Sequence, residues 1–309
     1  KTILINISVL LPAYNEAKNL KKLIPLIFNT LKKNKKINSF EIIIINDSSK
    51  DETENLIKNL NKKNKYIKSI NLKKNIGKAY AIDYGIKFTR KKYNWICIID
   101  ADNQYKPIYL NKIFNLIKRD TLFVNTKREN RKANFIENFG SKFLNKIIFS
   151  FLVKKKFDYF SGLKLFKRSL YDKLNYRGLV RFLIFYCIEK DINVEELSIN
   201  HSYRLYGHSK YTFFKKFYLF ILDLLTIVTF IKITPPILIK FKKKFFDKIF
   251  LFLSLICIVN FSNLNPVFFI SFFLVIIYII VVFATYRFIE RKNQKNVKKN
   301  NVKSFIGFN

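Results

Sequence analysis

Through the first two hundred residues, short apolar runs alternate with amphipathic stretches. The runs Ile7 to Leu11, Glu41 to Ile45, Ile67 to Asn71, Trp95 to Ile99 and Leu122 to Asn125 are nearly continuous in apolar character, as strands buried on both faces are. Between them Ala17 to Lys33, Glu52 to Asn64, Lys78 to Arg90 and Pro107 to Lys118 read as helices. Leu20, Leu23, Ile24 and Ile27 give the first of these the 3.6-residue spacing of one buried stripe. Regular strand-helix alternation predicts an α/β domain built on a mostly parallel sheet, covered on both faces. Ligands of such sheets sit beyond the carboxyl ends of the strands.

The pattern changes after residue 211. Phe213 to Ile233 is apolar but carries Lys215, Lys216, Asp223 and Lys232, which suits an interfacial amphipathic helix. Ile249 to Phe261 is apolar and short for a span, and becomes long enough if Phe245 and Phe246 join it while Asp247 and Lys248 snorkel. Val267 to Phe288 holds no charge before Arg287 and is long enough to cross a bilayer. Lysines and arginines crowd both outer flanks, whereas the connector from Ser262 to Pro266 has none. The positive-inside rule then predicts a two-helix hairpin with both ends cytoplasmic. A buried helical pair in a soluble domain is the alternative. The expected organisation is a catalytic domain over 1–211, interfacial helices over 212–240, a transmembrane hairpin over 241–290 and a basic, disordered tail over 291–309.

Composition changes this picture little. Half of the 309 residues are hydrophobic, so a sizeable core is affordable, and the formal net charge is +37. Abundant Lys, Asn, Ile and Phe are what AT-rich codons produce; an anionic membrane surface or nucleic acid would also suit the charge. The lysines scatter along the chain and peak beside the apolar helices, so no nucleic-acid partner is expected. Cys97, Cys187 and Cys257 lie in apolar runs with no disulfide or metal spacing, and two histidines exclude a His-rich metal site. Residues 1 to 12 run straight into the first strand pattern and read as no secretory signal.

The candidate chemistry lies at the strand ends. The first strand runs into Pro12-Ala13-Tyr14-Asn15-Glu16, the second into Asn46-Asp47-Ser48-Ser49-Lys50-Asp51, and the fourth into Asp100-Ala101-Asp102. Three strands thus deliver carboxylates to one edge. Clustered carboxylates repel and lose hydration unless a cation or hydrogen-bond donors join them. A Mg²⁺ or Mn²⁺ ion with oxygen ligands is the simplest expectation. Each piece has a plain reading as well: Asp47 with the serines as a turn and helix cap, and Asn75-Ile76-Gly77-Lys78 as a loop into a helix.

In combination, "LLPAYNEAKNL", "EIIIINDSSKDET", "NIGKAYA", "DADNQYKP", "DYFSGLKLFKR" and "RLYGHSKY" resemble family 2 glycosyltransferases of the GT-A fold. Within that family they look like the membrane-anchored polyprenyl-phosphate glycosyltransferases, the dolichol-phosphate mannose synthase-like group. The match spans about Ile7 to Tyr211. The resemblance implies transfer of a hexose from a UDP- or GDP-sugar to a polyprenyl phosphate at the cytoplasmic membrane face, with inversion at the sugar. It implies nucleotide-sugar contacts from Pro12, Tyr14, Glu16, Ile45, Asp47, Asp100, Ala101, Asp102, Gln104, Arg128, Arg204 and Lys210. It implies metal ligation by Asp102 and Asp100, and an acceptor-phosphate site at Arg131, Ser141 and Asn145. Asp158, Asp102 and Arg204 are the implied catalytic set, with Asp158 positioning sugar and phosphate or acting as a base; a helix cap or a salt bridge is its structural alternative. Homo-oligomerisation stays open. Asn46, Ala79, Lys164 and the Val180 to Leu183 stretch depart from the family pattern, which puts the sugar in doubt and leaves the reaction class standing.

Two rivals are weaker. A processive polysaccharide synthase needs a Gln-x-x-Arg-Trp motif after the acidic region, and the sole Trp, Trp95, precedes it. A membrane scaffold without activity would not be expected to keep Asp100, Asp102, Arg204 and Lys210 together.

Overall fold

The computed structural model describes residues 3–129, 157–173, 180–206 and 302–306, the last by backbone alone. Strands β1 (Ile5–Ala13), β2 (Ile37–Asn46), β3 (Ile67–Leu72) and β4 (Trp95–Ile98) alternate with helices α1 (Ala17–Lys33), α2 (Thr53–Lys63) and α3 (Lys78–Phe88). Then come α4 (Ile108–Asn115), β5 (Phe123–Glu129), β6 (Lys164–Lys167), α5 (Arg168–Asp172), a 3₁₀ turn at Val180–Phe182, α6 (Leu183–Glu189), β7 (Val194–Asn200) and β8 (Val302–Ile306). All eight strands form one sheet in the order β7-β5-β6-β4-β1-β2-β3-β8. β6 and β8 run antiparallel to their neighbours, and the other six share one direction. The mostly parallel α/β sheet expected from the sequence is therefore present.

Period-two alternation splits the strand residues into two cores. Ile43, Ile45, Ile70, Ile96 and Ile98 face a layer that holds residues of α3 and α6. Ile42, Ile44, Ile67, Trp95 and Cys97 face the layer of α1, α2 and α4. Both faces are dry, which is why the strands read as unbroken apolar runs. The chain order reverses between β1 and β4, the point where a parallel sheet opens a crevice. Register puts the ends of β1, β2 and β4 there together: Ala13 pairs with Asn46, and Leu10 with Ile98.

Two polar devices hold the far side of the sheet. Glu41 and Lys68, fully or almost fully buried, form an ion pair at 2.6 Å, and Ser8 Oγ and the Arg90 N–H both donate to Glu41. Arg168 donates to the Tyr93, Ile86 and Arg90 carbonyls and to the Thr89 hydroxyl. A guanidinium there satisfies carbonyls that the end of α3 leaves open.

Val302–Ile306 corrects one expectation. These residues fall in the tail expected to be disordered, yet they pair antiparallel with β3 as an edge strand. An edge strand's unpaired N–H and C=O groups template such an addition. Among the described residues no helix is long and apolar enough to cross a membrane. The expected interfacial helices, the hairpin and the rest of the tail lie outside the described residues.

Candidate active site

The crevice is walled by turns that side chains stitch together. Asn15 takes a left-handed conformation with φ 55°, its N–H donating to Ser49 Oγ at 2.9 Å and its side-chain oxygen accepting the Lys50 N–H at 2.7 Å. Thr53 Oγ1 accepts the Glu16 N–H, and Asp51 accepts the N–H groups of Ala17 and Thr53. The acidic and hydroxyl residues after β2 thus cap helix starts, which is their plainer reading.

Asp47 follows the same logic. Its two oxygens accept the N–H groups of Ile76 and Gly77 at 2.8 and 2.9 Å. Burial pushes the Asp47 carboxyl above its usual range, and those two donors pull it back only in part. Gly77 has φ 90°, a backbone that other residues adopt only under strain. Asp47 therefore fixes the loop that opens α3 and delivers Lys78 to the crevice.

Asp100 and Asp102 leave β4 side by side in this crevice. The Lys78 ammonium forms an ion pair with Asp100 Oδ1. Arg204, from the segment after β7, donates to Asp102 Oδ2 at 2.8 Å and lies 3.7 Å from Glu16 Oε1. Asn19 also donates to Glu16, at 2.6 Å, and the Gln104 N–H donates to Asp102 at 3.1 Å. Burial raises the Asp102 carboxyl, the Asp100 charge adds to that, and Arg204 opposes both. The adjacent Asp100 carboxylate holds the partly exposed Lys78 ammonium above its usual value. Oxygen donors from two carboxylates suit a hard divalent cation that takes its other ligands from phosphate and water. Asp102 is shared with the Arg204 guanidinium, which any such ion would adjoin. Among the described residues no group of three or more His, Cys, Asp or Glu offers an alternative metal centre.

A second cluster backs the first. Arg128 grips Asp158 through Nε and Nη2 at 2.6 and 2.7 Å, and its own N–H donates to the same carboxylate. Burial alone would raise the Asp158 carboxyl; the Arg128 hydrogen bonds and charge hold it below the usual range. Asp158 thus forms the salt bridge that the sequence allowed as its structural alternative, and this pair orients Arg128. The Ile45 side chain is fully buried against α3, where a Cβ at Gly85 would lie 2.9 Å from Ile45 Cδ1, so any nucleotide contact there would come from its backbone. Strand alternation turns Ile45 inward, whereas Asp47 lies beyond the strand end.

Pro12, Tyr14 and Ala101 stand at the same edge, on β1 and on the turns after β1 and β4. Gln104 bridges to the segment after β7: its Nε2 donates to the Ser202 carbonyl, and the Ser202 N–H donates to its own carbonyl. Lys210, Arg131, Ser141 and Asn145 lie outside the described residues.

Two contributors were not singled out from the sequence as site residues. Lys78 is one; its signal was a lysine just after a left-handed glycine at a helix start. Gly162 is the other. Any Cβ at position 162 would collide with the Asp100 carboxylate, and the Gly162 N–H donates to Tyr105 Oη at 2.7 Å. The expected result is that Gly162→Ala preserves the fold and lowers transfer by roughly 10-fold or more, because an ångström of displacement at a reacting centre is costly. Parental rates in Gly162→Ala membranes would show that Asp100 has room to move.

Lys164, on β6, is buried, and its ammonium donates to the Tyr159 carbonyl at 3.2 Å. Burial lowers it from 10.5 to about 8, with Lys78 and Arg128 adding repulsion and Asp158 and Asp100 opposing. The folded state thus binds this proton more weakly than the unfolded chain does. The penalty is full below pH 8 and fades from pH 8 to 10.5, where only the unfolded chain still holds the proton. Melting curves at pH 7 and pH 9.5 should show the parent gaining on Lys164→Met at the higher pH; a gap independent of pH would refute the shift.

Comparison with known proteins places this geometry. A model of the family described as Glycosyl transferase family 2 matches residues 8–174. The chain belongs to glycosyl transferase family 2. An undecaprenyl-phosphate 4-deoxy-4-formamido-L-arabinose transferase of Proteus mirabilis is 27% identical over 226 residues, covering 72% of this chain and 68% of that protein. Among solved structures, a glucosyl-3-phosphoglycerate synthase from Mycobacterium tuberculosis, in complex with Mn²⁺, UDP-glucose and phosphoglyceric acid, aligns with a TM-score of 0.57 at 15% identity. That alignment covers 74% of this chain and 80% of the synthase. A mannosyl-3-phosphoglycerate synthase from Rubrobacter xylanophilus aligns with a TM-score of 0.54 at 15% identity, over 72% of each chain. These likenesses show the GT-A fold of this family 2 chain.

Proposed function

We propose that this family 2 protein transfers a hexose from a UDP- or GDP-sugar to a polyprenyl phosphate, with inversion at the anomeric carbon. The observation that carries the proposal is the charge cluster at the switch point, where Asp100 and Asp102 meet Lys78 and Arg204. The Proteus mirabilis relative, an undecaprenyl-phosphate sugar transferase, supports the lipid-phosphate acceptor.

A bound Mg²⁺ or Mn²⁺, held by Asp102 and Asp100, would supply positive charge to the donor diphosphate. The chain's own groups do the rest. Arg204 offers a planar fork of donors to the departing diphosphate, and Lys78 and Lys210 are the lysines proposed to act with it. Such fixed cations stabilise charge that grows on the leaving group. Pro12, Tyr14 and Glu16 hold the nucleoside side, Gln104 ties down the strap formed by residues 201–206 after β7, and Asp158 keeps Arg128 in place. Arg131, Ser141 and Asn145 are the proposed acceptor-phosphate set. A phosphate monoester with a second pKa of about 6 is already largely dianionic at neutral pH. No strong general base is then required, which agrees with the low basicity of Asp158. The hairpin would hold the site at the cytoplasmic membrane face, with both termini on that side.

The experiment is a screen in membranes that contain the full chain. UDP-glucose, UDP-galactose, UDP-GlcNAc, GDP-mannose and a nucleotide-activated 4-deoxy-4-formamido-L-arabinose are each labelled in the sugar. Each is offered with undecaprenyl or dolichyl phosphate. One hexose donor should give a labelled, metal-dependent glycolipid whose anomeric configuration is opposite to the donor's; label carried only by the arabinose donor, a pentose, would overturn the hexose. Transfer only to water-soluble acceptors would refute the lipid-phosphate reading.

A further inference from the structure

The segment after β7 does two things at once. His201 is buried with its ring edge-on to Tyr105, and the Ser202 N–H is tied to Gln104. Arg204 points inward to Asp102 and Glu16. Tyr203 and Leu205, on either side of it, turn outward and are 65% and 56% exposed. Tyr206 ends the strap over α1: its carbonyl accepts from Asn19 at 3.2 Å, and Lys22 Nζ lies 4.9 Å from its ring centroid. Lys18 and Lys21 are exposed on the same helix as Lys22. The rim of the crevice therefore carries tyrosine, leucine and several lysines together.

We propose that this rim, Tyr203, Leu205 and Tyr206 with Lys18, Lys21 and Lys22, is the surface that docks on an anionic lipid bilayer. Three features support it. Tyrosine and leucine with lysine form the composition that settles at a lipid headgroup boundary, where rings and alkyl groups sink and ammonium groups meet phosphates. The same strap holds Arg204, so docking would bring the diphosphate-closing arginine to the surface from which a lipid phosphate arrives. Finally, the expected interfacial helix begins at Phe213, within about 28 Å of Leu205 even for fully extended chain. This inference rests on the membrane reading given above and adds the face that meets the lipid.

The test uses the full chain carrying Leu205→Trp. The one native tryptophan, Trp95, is 2% exposed, so the parent supplies a constant background. Protein is reconstituted in phosphatidylcholine–phosphatidylglycerol vesicles, with and without bromine on the acyl chains. The added emission should shift to the blue and lose about half its intensity to the brominated lipid, as expected for a side chain at the acyl boundary. A second variant, Leu205→Asp, should raise the KM for vesicle-embedded polyprenyl phosphate and leave the donor KM unchanged. Emission typical of water, with no quenching in protein that floats with the vesicles, overturns the docking face alone. A blue shift that depends on protein concentration and is not quenched assigns the rim to a second copy of the chain, and also overturns it. A full chain that does not float with vesicles overturns both this inference and the membrane reading.

Discussion

Asp102→Asn should lower glycosyl transfer by about 10²–10³-fold, the loss typical when one fixed charge is taken from a transition-state site. Asp102 is 6% exposed, bonded to Arg204 at 2.8 Å and held by the Gln104 N–H. The amide keeps the shape and the Gln104 contact. It removes a unit of charge that both a divalent cation and Arg204 need. Glu16, at 3.7 Å, still lies near Arg204. Two readouts distinguish this from a folding defect: the melting temperature should move by a few degrees at most, and Mn²⁺ binding followed by electron paramagnetic resonance should weaken. A mutant that forms glycolipid at the parental rate would remove Asp102 from the metal and donor site.

Lys68→Met should destabilise the protein by about 3–5 kcal/mol, the cost of leaving a buried charge without its partner. Glu41 is fully buried and Lys68 almost so, and their 2.6 Å contact spans neighbouring strands β2 and β3. Burial lowers the Lys68 ammonium, and Glu41 holds it up. With lysine gone, Ser8 and the Arg90 N–H still donate to Glu41, but its ion-pair partner on β3 is lost. Glu41→Gln with Lys68→Met should recover much of the loss, since a paired removal leaves no unpaired charge. Denaturant melts of the two single variants and the double variant check this. Additive losses would mean that the pair contributes nothing as a pair.

The frame of the protein is legible in the chain. β1 to β4 are dry on both faces, so the apolar runs mark them, and α1 shows its stripe at Leu20, Leu23, Ile24 and Ile27. β6 and β7 escape that reading. Lys164 to Lys167 and Val194 to Asn200 carry charged residues that become acceptable only once particular partners lie beside them. Glu196, for example, accepts from Asn125 and from the Asp158 N–H.

The site divides along the same line. Carboxylates at strand ends were visible, because a strand that finishes in Asp-Ala-Asp stands out in any register. Which cation meets each one was not. Lys78 and Asp100 are far apart in the chain, as are Arg204 and Asp102, and Arg128 and Asp158. The sequence by itself determined the layers, the shared edge and the acidic motif, since these follow from local periodicity and chain order. Tertiary structure alone decided that Asp47 anchors a loop, that Ile45 turns into the core, that Asp158 is tied to an arginine and that Gly162 clears space for Asp100. Packing and Coulomb attraction act through space between residues far apart in the chain, and no local pattern records them.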